Sequence, residues 1–283
     1  MAAVLEEAGH EVVVADLGGV SDYRAEMARF IDGWNVYGIT ATTPQFPMAI
    51  DVLDVIRELD PGKRVIIGGP HPTVMSESCG MFDCVVMGDG EEAVLEALHP
   101  GAPSVIDRAT TTTKGELQWH WPARHLIEMG SYRYSIGGVK GTSMMLSQGC
   151  PYSCSFCSGP LVPYYRRVRS RNVDDVIREM EHLIETYGMH AVMAFDDEVN
   201  ILNEPLLEFC RKVKPLGMKF RAFVKANLYT DQQAEAMAEA GFTDVCTGVE
   251  AGDDRILGII EKKTTREINK RFVDLTRKHG MRG

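Results

Sequence analysis

The sequence of 283 residues has no long apolar run and no excess of basic residues. A helix needs roughly 20 apolar residues in succession to cross a bilayer, and no stretch approaches that length, so we predict no membrane-spanning helix. The 30 lysines and arginines are outnumbered by 40 aspartates and glutamates, which gives a formal charge of −10. This balance argues against nucleic acid or anionic lipid as a partner. The opening "MAAVLEEAGHEV" has neither the basic segment nor the cleavage pattern of a secretion signal, and we expect a cytoplasmic protein.

Cysteine is also scarce, with seven residues in all. Thiols stay reduced in the cytosol, and an odd number of them does not suggest a disulfide framework. Three of the seven nevertheless lie close together in "SQGCPYSCSFCSGP", where Cys150, Cys154 and Cys157 follow the spacing C-x3-C-x2-C. The remaining four lie in predicted strands and helices and are interpreted as small core residues: Cys79, Cys84, Cys210 and Cys246.

The first hundred residues alternate short β-branched runs with amphipathic stretches. The runs are typical of buried parallel strands: "HEVVVAD" (10–16), "VYGIT" (36–40), "RVIIGG" (64–69) and "CVVMG" (84–88). The amphipathic stretches at 47–60 and 90–98 predict helices. This βα rhythm predicts a doubly wound, Rossmann-like parallel sheet. The sequence starts like the end of a helix followed by a second strand, so we expect the first strand of this domain to be missing.

Residues 101–141 lack clear periodicity and are expected to form a linker with one hairpin. The alternation then resumes and predicts strands over 142–147, 190–198, 219–226 and 244–250, with helices over 172–188, 203–214, 230–240 and 264–280. Gly188 and Gly241, just past two helix ends, are typical helix stops. Successive βα units predict part of a barrel. We therefore expect one domain over 1–100 and a second over 142–283, the latter without its C-terminal strands.

Three clustered thiols suit an iron–sulfur cluster with one iron left open. A [4Fe–4S] cluster has four irons, each needing a terminal ligand, and protein thiolates normally fill all four. Three cysteines leave one iron free to bind and chelate a substrate, much as catalytic zinc keeps a free position. Small neighbours let the loop wrap closely around such a cluster: Gly149, Pro151, Ser153, Ser155, Ser158 and Gly159. A zinc site completed by a distant histidine, or three unrelated thiols, are the alternatives.

With Phe156 before the last cysteine, the spacing resembles the radical S-adenosylmethionine (SAM) superfamily, whose cluster loop follows the first strand of a partial (β/α)6 barrel. The resemblance covers roughly residues 140–283. It implies that the three cysteines hold the cluster and that SAM binds the open iron through its amino and carboxylate groups. It also implies that the reduced cluster cleaves SAM to methionine and a 5′-deoxyadenosyl radical. Phe156 is then expected beside the adenine, and Tyr152 in the same pocket.

Acidic residues follow the second predicted strand of the barrel. The carboxyl ends of the strands form the site in a parallel barrel, so "AFDDEVN" brings Asp196, Asp197 and Glu198 to its rim. SAM's ammonium needs an acceptor, which family members often supply from Gly-Gly-Glu at this position. This chain has Asp-Asp-Glu instead, so which acid serves stays open. A solvated acidic loop is the alternative.

The next two strand ends also carry candidate residues. "FVKANL" places Lys225 and Asn227 where a cation and an amide are able to hold SAM's carboxylate or ribose. "TGVEAGDD" resembles the family's fourth strand end, where Gly248 allows close approach of the ligand and Glu250 accepts from ribose hydroxyls. An ordinary structural role is the alternative for each.

The strand ends of the first domain are rich in threonine and glycine. Parallel sheets bind ligands at this edge, but no GxGxxG motif is present, so NAD has little support. Hydroxyl groups and glycine backbone at these strand ends suit a large flat or phosphorylated ligand. The residues that supply them are Thr40, Thr42, Thr43, Gly68, Gly69, Gly88 and Gly90. Simple turns are the alternative interpretation of the glycines.

Set before a radical SAM loop, "GITATTPQFPMAI" and "VIIGGPHPT" resemble the cobalamin-binding domain of cobalamin-dependent radical SAM proteins, over about residues 1–100. The resemblance implies cofactor contacts from Thr40, Thr42, Gly68, Gly69 and Gly88. His71 is expected to pack near the cofactor's nucleotide tail rather than to bind cobalt. The D-x-H-x-x-G pattern that supplies an axial histidine in methionine synthase is absent, so the lower axial ligand stays open.

Together the two modules predict a cobalamin-dependent radical SAM enzyme with three cofactors: a [4Fe–4S] cluster, SAM and cobalamin. The resemblance implies methylation of an unactivated carbon in a small-molecule or lipid substrate, with a reductant such as flavodoxin or ferredoxin. A radical SAM cyclase or rearrangement enzyme without methyl transfer is one alternative. A non-catalytic cobalamin or iron–sulfur sensor is another. RNA methylthiolation is disfavoured by the acidic charge and by the lack of a second three-cysteine set.

Overall fold

The computed structural model describes residues 1–31, 33–109 and 119–283, apart from the side chain of Glu92. The described residues form two compact units. The first unit contains residues 1–109 and 120–129, and the second contains residue 119 and residues 130–283.

The first unit is built on a parallel sheet. Its strands lie in the order β1 (Val36–Thr40), β2 (Arg64–Gly68), β3 (Cys84–Met87) and β4 (Val105–Asp107). The helices of this unit are α1 (Ala2–Glu7), α2 (Tyr23–Met27), α3 (Phe46–Leu59), α4 (Pro70–Val74) and α5 (Gly90–Leu98). Short 3-10 helices lie at Thr43–Gln45, Ser76–Cys79 and Arg124–Leu126.

Helices cover both faces of this sheet. On one face Val52 and Ile56 of α3 pack in a core with Val65 and Ile67 of β2. On the other face Ala93 and Ala97 of α5 pack with Ile66 and Val86. Successive residues of a strand point to opposite faces, so the continuous apolar run of β2 serves two cores at once. The predicted α/β arrangement of this region is confirmed.

Two features of the first unit differ from the sequence prediction. Residues 10–16, predicted as a strand, are not part of a strand, because they have no ladder partner among the described residues. A β-branched run favours extended backbone, but a strand exists only when a neighbour takes its hydrogen bonds. Conversely, β4 lies inside the predicted linker, where it pairs with β3 although only Val105, Ile106 and Asp107 take part.

The second unit contains a second parallel sheet with one antiparallel edge strand. The strands are β5 (Ser135–Ile136), β6 (Val139–Met144), β7 (Ser147–Gln148), β8 (Arg169–Ser170), β9 (Ala191–Ala194), β10 (Lys219–Phe223) and β11 (Phe242–Cys246). The sheet order is β11-β10-β9-β6-β5, and β5 forms the predicted hairpin with β6. The helices are α6 (Val173–Tyr187), α7 (Asn203–Val213), α8 (Asp231–Ala240), α9 (Asp254–Ile259) and α10 (Arg266–Lys278), with 3-10 turns at Gly159–Leu161, Pro163–Arg166 and Lys214–Leu216. This alternation forms the predicted partial (β/α) barrel.

The helix limits of the second unit follow their capping residues closely. Asn172 starts α6 by accepting hydrogen bonds from the backbone N–H groups of Asp174 and Asp175. The predicted stop residues Gly188 and Gly241 both end their helices in the left-handed conformation. At Gly241 a Cβ atom would also lie only 2.2 Å from the carbonyl oxygen of Met218, so a side chain has no room there.

The core of this unit lies between the sheet and its helices. Phe209 of α7 meets Phe220 of β10 with ring centroids 5.7 Å apart, and Phe242 of β11 joins them at 5.1 Å from Phe220. Side chains of this size dominate core energetics, and burying each contributes on the order of 2–3 kcal/mol. This packing fixes the strands whose carboxyl ends carry the candidate site.

Strands β7 and β8 form a separate two-stranded antiparallel ribbon. Ser147 pairs with Ser170 and Gln148 pairs with Arg169, so the ribbon closes the base of the loop that carries the three clustered cysteines. None of the helices in the described part of the chain has both the length and the apolar character needed to cross a bilayer.

Candidate active site

The cysteine loop begins at a glycine that the fold requires. Gly149 has a φ of +93°, and a Cβ atom there would lie 1.8 Å from the carbonyl oxygen of Arg167. The two arms of the loop therefore approach more closely than any side chain permits. The next residue, Cys150, donates its backbone N–H to the carbonyl oxygen of Tyr165 at 2.8 Å, which continues the closure.

The three thiols differ in exposure. Cys154 is buried, Cys150 is half-buried and Cys157 is exposed. Burial raises the pKa of the Cys150 thiol, although a hydrogen bond from the backbone of Tyr152 opposes the rise. The Gly159 N–H donates to the Cys157 sulfur at 3.3 Å. Such backbone donors stabilise a thiolate, the form in which cysteine binds metal.

Further hydrogen bonds hold the loop in shape. The Arg166 guanidinium donates to the carbonyl oxygen of Pro151 at 2.9 Å and to the Ser153 hydroxyl at 2.8 Å. The Ser155 N–H donates to the carbonyl oxygen of Ile260 at 3.0 Å. The chain's own contacts thus preorganise the segment that carries the thiols. Arg166 was not recognised from the sequence, because it lies outside the cysteine spacing.

Lys225 lies against the cysteine loop. Its side chain is buried, with Nζ 3.9 Å from Cys154 Sγ and 4.3 Å from the centroid of the Tyr152 ring. The structure thus brings this cation to a thiol, and the contact with SAM's carboxylate or ribose that the sequence predicted stays a prediction. Its backbone is fixed by Asn200, whose Oδ1 accepts from the Lys225 N–H at 2.8 Å and whose Nδ2 donates to the Lys225 carbonyl oxygen at 3.2 Å.

The three acids after β9 have different roles. Asp196 accepts from the N–H groups of Leu146 and Ser147 and from the Ser147 hydroxyl, and Asp197 accepts from the Gly149 N–H at 3.0 Å. Burial raises the pKa of Asp196 to about 7, although these three hydrogen bonds act to lower it. Both aspartates therefore anchor the chain that leads into the cysteine loop.

Glu198 is the acid with a free acceptor. Its Oε2 atom is buried without a hydrogen-bond partner among the described residues. Burial raises the pKa of Glu198 to about 7, while the charges of Lys225 and Lys262 act to lower it. An unsatisfied buried carboxylate oxygen is costly, and a bound cation or donor would relieve that cost. Of the three candidate acids, Glu198 is the one whose surroundings suit a ligand's ammonium group.

An ion pair follows β11. Glu250, held at a φ of +59°, accepts from Lys262 Nζ at 3.0 Å, and Lys262 lies 5.6 Å from the centroid of the Phe156 ring. A Cβ atom at Gly248 would lie 2.3 Å from Glu250 Oε1 and 2.7 Å from Lys262 Nζ. The glycine therefore makes room for this pair, and close approach of a ligand at Gly248 stays a prediction. Lys262 was not predicted as a site residue, because it lies outside the sequence motifs and reaches the site from the turn after α9.

Asn227, beyond β10, presents a second free acceptor. Its Oδ1 atom is buried and lacks a hydrogen-bond partner in the described part of the chain. No group of three or more His, Cys, Asp or Glu side chains among the described residues converges on a point that one metal ion would occupy. A four-iron cluster places each thiolate on a different iron, so its ligands need not converge in that way.

The candidate residues of the first unit lie at the carboxyl edge of its sheet. Thr40 ends β1 and Thr42 follows it, both exposed, and the Thr42 N–H and hydroxyl donate to Gln45 Oε1 at 3.0 and 2.8 Å. A Cβ atom at Gly69 would lie 2.6 Å from Thr40 Oγ1, and one at Gly88 would lie 2.5 Å from the Ala109 nitrogen. Close packing of the chain itself thus explains these two glycines.

Gly68 and Gly90 complete this set at the same edge. Gly68 ends β2 and is buried, and a Cβ atom there would make only ordinary contact with Val86 at 3.7 Å. Gly90 is the first residue of α5. Thr43 and Ser78 lie on either side of the His71 ring, with Thr43 Oγ1 3.2 Å from Nδ1 and Ser78 Oγ 2.9 Å from Nε2.

His71 is held within the first unit. Both ring nitrogens have hydroxyl partners, and the ring stacks on Phe46 with centroids 3.9 Å apart. Neither nitrogen is therefore left over for cobalt in this arrangement. Packing of His71 near the cofactor's nucleotide tail stays a prediction.

Comparison with known families decides the affiliation of the chain. Residues 144–283 match the model of the Radical SAM superfamily, and residues 1–98 match the model of the B12 binding domain. The chain is a radical SAM protein with a B12-binding domain. The first domain implies cobalamin, and the second implies SAM and a [4Fe–4S] cluster.

Two curated relatives align along most of this chain. An uncharacterized methyltransferase of Pyrococcus horikoshii is 29% identical over 96% of this chain and 64% of its own length. The anaerobic magnesium-protoporphyrin IX monomethyl ester cyclase of Cereibacter sphaeroides is 25% identical over 86% of this chain and 44% of its own length. The chain thus spans less than two thirds of either protein.

A solved structure supports the fold. The radical SAM methyltransferase TsrM of Kitasatospora setae, with tryptophan and a SAM analogue bound, superposes with a TM-score of 0.75. The match covers 98% of this chain and 61% of that chain at 21% identity. At this identity the likeness concerns the fold alone.

Proposed function

We propose that this chain is the cofactor-binding part of an enzyme that cleaves SAM reductively and methylates an unactivated carbon through cobalamin. The observation that carries the proposal is the preorganised three-thiol loop beside Glu198, whose Oε2 atom is buried without a hydrogen-bond partner among the described residues, in a chain that also has a B12-binding domain. The methyltransferases among its relatives favour methyl transfer over other uses of SAM.

The residues present fit the implied cofactors. Cys150, Cys154 and Cys157 would each hold one iron, and the fourth iron would take SAM. Reductive cleavage at such a cluster supplies a carbon-centred radical, and cobalamin supplies a carrier for the methyl group. Glu198 Oε2 would accept from SAM's ammonium, because among the three acids after β9 it is the buried oxygen without a hydrogen-bond donor in the described part of the chain.

Other candidates complete the SAM pocket in this proposal. Asn227 Oδ1 would accept from a ligand donor, since it too is buried and free in the described part of the chain. Phe156 and Tyr152 would line the adenine side, each with a lysine near its ring. Glu250 would accept hydrogen bonds from the ribose hydroxyl groups while it keeps its ion pair with Lys262.

In the first unit, Thr40 and Thr42 would contact cobalamin with their exposed hydroxyl groups. The turns at Gly68, Gly69 and Gly88 would bring backbone to the same edge of the sheet. His71 would support these turns from within the unit, because its ring nitrogens are engaged.

An apolar substrate suits the exposed face of the second sheet. Ala194 of β9 pairs with Ala222 of β10, so the residues that follow, Phe195 and Phe223, are neighbours on one face. They are 64% and 41% exposed, which is unusual for large apolar side chains at adjacent strand ends. Phe195 directly precedes the acids of the site. A small-molecule or lipid substrate with an apolar body is therefore proposed.

The electron for SAM cleavage must come from a low-potential donor. A flavodoxin or ferredoxin in the cytoplasm would fit this need. This electron donor and the cytoplasmic compartment are both part of the proposal.

The proposal is tested by anaerobic reconstitution of the full chain with iron, sulfide and cobalamin, followed by SAM and a chemical reductant. We expect about four irons per chain, cobalamin absorbance, and both 5′-deoxyadenosine and S-adenosylhomocysteine. Serine in place of any one of Cys150, Cys154 and Cys157 should abolish 5′-deoxyadenosine, while Cys210→Ser should not. Absence of both bound cobalamin and 5′-deoxyadenosine in the wild type would refute the proposal.

A cyclase is the second candidate, because a magnesium-protoporphyrin ester cyclase is among the relatives. It predicts 5′-deoxyadenosine without S-adenosylhomocysteine. A cofactor sensor would instead bind the cofactors and leave SAM intact under reductant. Product analysis by mass spectrometry separates the three outcomes.

A further inference from the structure

We propose that Lys225 raises the reduction potential of the iron–sulfur cluster through its contact with the Cys154 thiolate, an inference that rests on the proposed function. The ammonium lies 3.9 Å from Cys154 Sγ and 4.3 Å from the Tyr152 ring centroid. It thus touches two residues of the cysteine loop. Lys225 is only 2% exposed, so water screens this charge little.

The effect follows from the sign of the charge. Reduction adds one electron, delivered by an external reductant, to a cluster and thiolates that are already negative. A cation at contact distance in a poorly hydrated site favours the more negative state. Hydrogen bonds to cluster sulfurs are a recognised means of setting the potential. Loss of the ammonium should therefore make the cluster harder to reduce.

Lys225 is held in place by the fold rather than by the thiol alone. Asn200 binds its backbone N–H and carbonyl groups, and the Leu228 N–H donates to the same carbonyl oxygen at 3.0 Å. The flanking residues Val224 and Ala226 are buried. The cation is thus in position before any cluster assembles, as a positioned charge must be to act on a potential.

Lys262 provides a matched control. It is a second poorly exposed lysine beside an aromatic residue of the same loop, 5.6 Å from the Phe156 ring centroid. Its Nζ atom binds Glu250 Oε1 at 3.0 Å, so a carboxylate compensates its charge. Removal of both charges in Lys262→Met/Glu250→Gln leaves the net charge beside the loop unchanged, and tests whether loss of any nearby buried lysine has the same effect.

The experiment is a redox titration of the reconstituted full chain, followed by electron paramagnetic resonance of the reduced cluster. It compares the wild type with Lys225→Met, Lys225→Gln, Lys225→Arg and the double variant Lys262→Met/Glu250→Gln after iron analysis of each. We expect the reduced-to-oxidised ratio at a fixed potential to fall about tenfold in both neutral Lys225 variants, a shift of about 59 mV for a one-electron couple. Lys225→Arg and Lys262→Met/Glu250→Gln should stay near the wild type.

Two results would overturn the inference. One is that the midpoint reduction potentials of Lys225→Met and Lys225→Gln are the same as that of the wild type. The other is an equal shift in Lys262→Met/Glu250→Gln or in Lys225→Arg, which would show that the position and charge of Lys225 have no specific role. Iron analysis separates these from failure of the proposed function, because a wild type without a four-iron cluster refutes both before any titration is made.

Discussion

At the scale of single residues, burial distinguishes the three acids that the sequence left equivalent. Asp196 accepts hydrogen bonds from two backbone N–H groups and a hydroxyl, and Asp197 Oδ2 accepts from one backbone N–H, whereas Glu198 retains a buried oxygen without a partner among the described residues. Sequence spacing indicated where the acids lie but not which one is free. That difference depends on contacts across nearly fifty positions, between β9 and the start of the cysteine loop.

Replacement of Glu198 should weaken SAM binding. A hydrogen bond to a charged group contributes about 1.5–3 kcal/mol, so Glu198→Gln is expected to raise the SAM dissociation constant roughly tenfold to hundredfold. Equilibrium dialysis on the reconstituted chain measures this directly. Glu204→Gln, in the first turn of α7, is the control and should bind SAM like the wild type. Equal affinity in the two variants would exclude Glu198 as the acceptor.

Asp244 of β11 makes stability depend on pH. Burial acts to raise its pKa, but hydrogen bonds from Thr243 and Arg282 and the charge of Arg221 outweigh it and lower the pKa below the usual 3.8. A carboxylate with a lowered folded-state pKa stabilises the fold above the unfolded-state pKa, and this stabilisation is lost as the pH falls through the folded value.

We therefore expect Asp244→Asn to lower the free energy of unfolding by about 1–2 kcal/mol at pH 7. The difference from the wild type should shrink once the pH falls below about 3.8. Urea denaturation followed by circular dichroism across this range provides the measurement, with the exposed Asp51→Asn on α3 as control. A difference that is independent of pH would contradict the assigned cause.

At the scale of elements, helices were predicted closely and strand ends were not. Predicted helix 172–188 agrees with Val173–Tyr187 because Asn172 and Gly188 mark its limits chemically. Predicted strands 190–198 and 244–250 instead end at Ala194 and Cys246. A strand ends where its neighbour's ladder hydrogen bonds end, and the sequence does not mark where a neighbouring strand stops. Lys262 was missed for a similar reason, since its partner Glu250 meets it only in the folded chain.

The ribbon of β7 and β8 makes one glycine critical for the cysteine loop. Gly149→Ala would place a Cβ atom 1.8 Å from the Arg167 carbonyl oxygen, so the arms of the loop should separate. We expect this variant to keep its helical circular dichroism but to lose at least about tenfold in reconstituted cluster, as estimated from a loop distortion of 1–2 kcal/mol. Gly252→Ala, where nothing lies within 4 Å of the added Cβ, should assemble the cluster normally. Normal assembly in Gly149→Ala would show that closure of the ribbon is unnecessary.

At the scale of the whole molecule, the sequence indicated both modules because each has a local signature. Cys150, Cys154 and Cys157 lie in one short segment, and the strand-end glycines at 68–69 and 88 mark a parallel sheet. Residues 10–16 were wrongly predicted as a strand because pairing is not a local property. The domain limits 1–100 and 142–283 stay predictions, as do the substrate and the electron donor.

The central claim is that three thiolates leave one iron of the cluster open for SAM. Mössbauer spectroscopy of the full chain, reconstituted anaerobically with iron-57 and recorded with and without SAM, tests it most directly. The account predicts the spectrum of a [4Fe–4S] cluster in which a single iron site changes when SAM is added. A spectrum without a four-iron cluster, or one in which every iron site is unaffected by SAM, would contradict it.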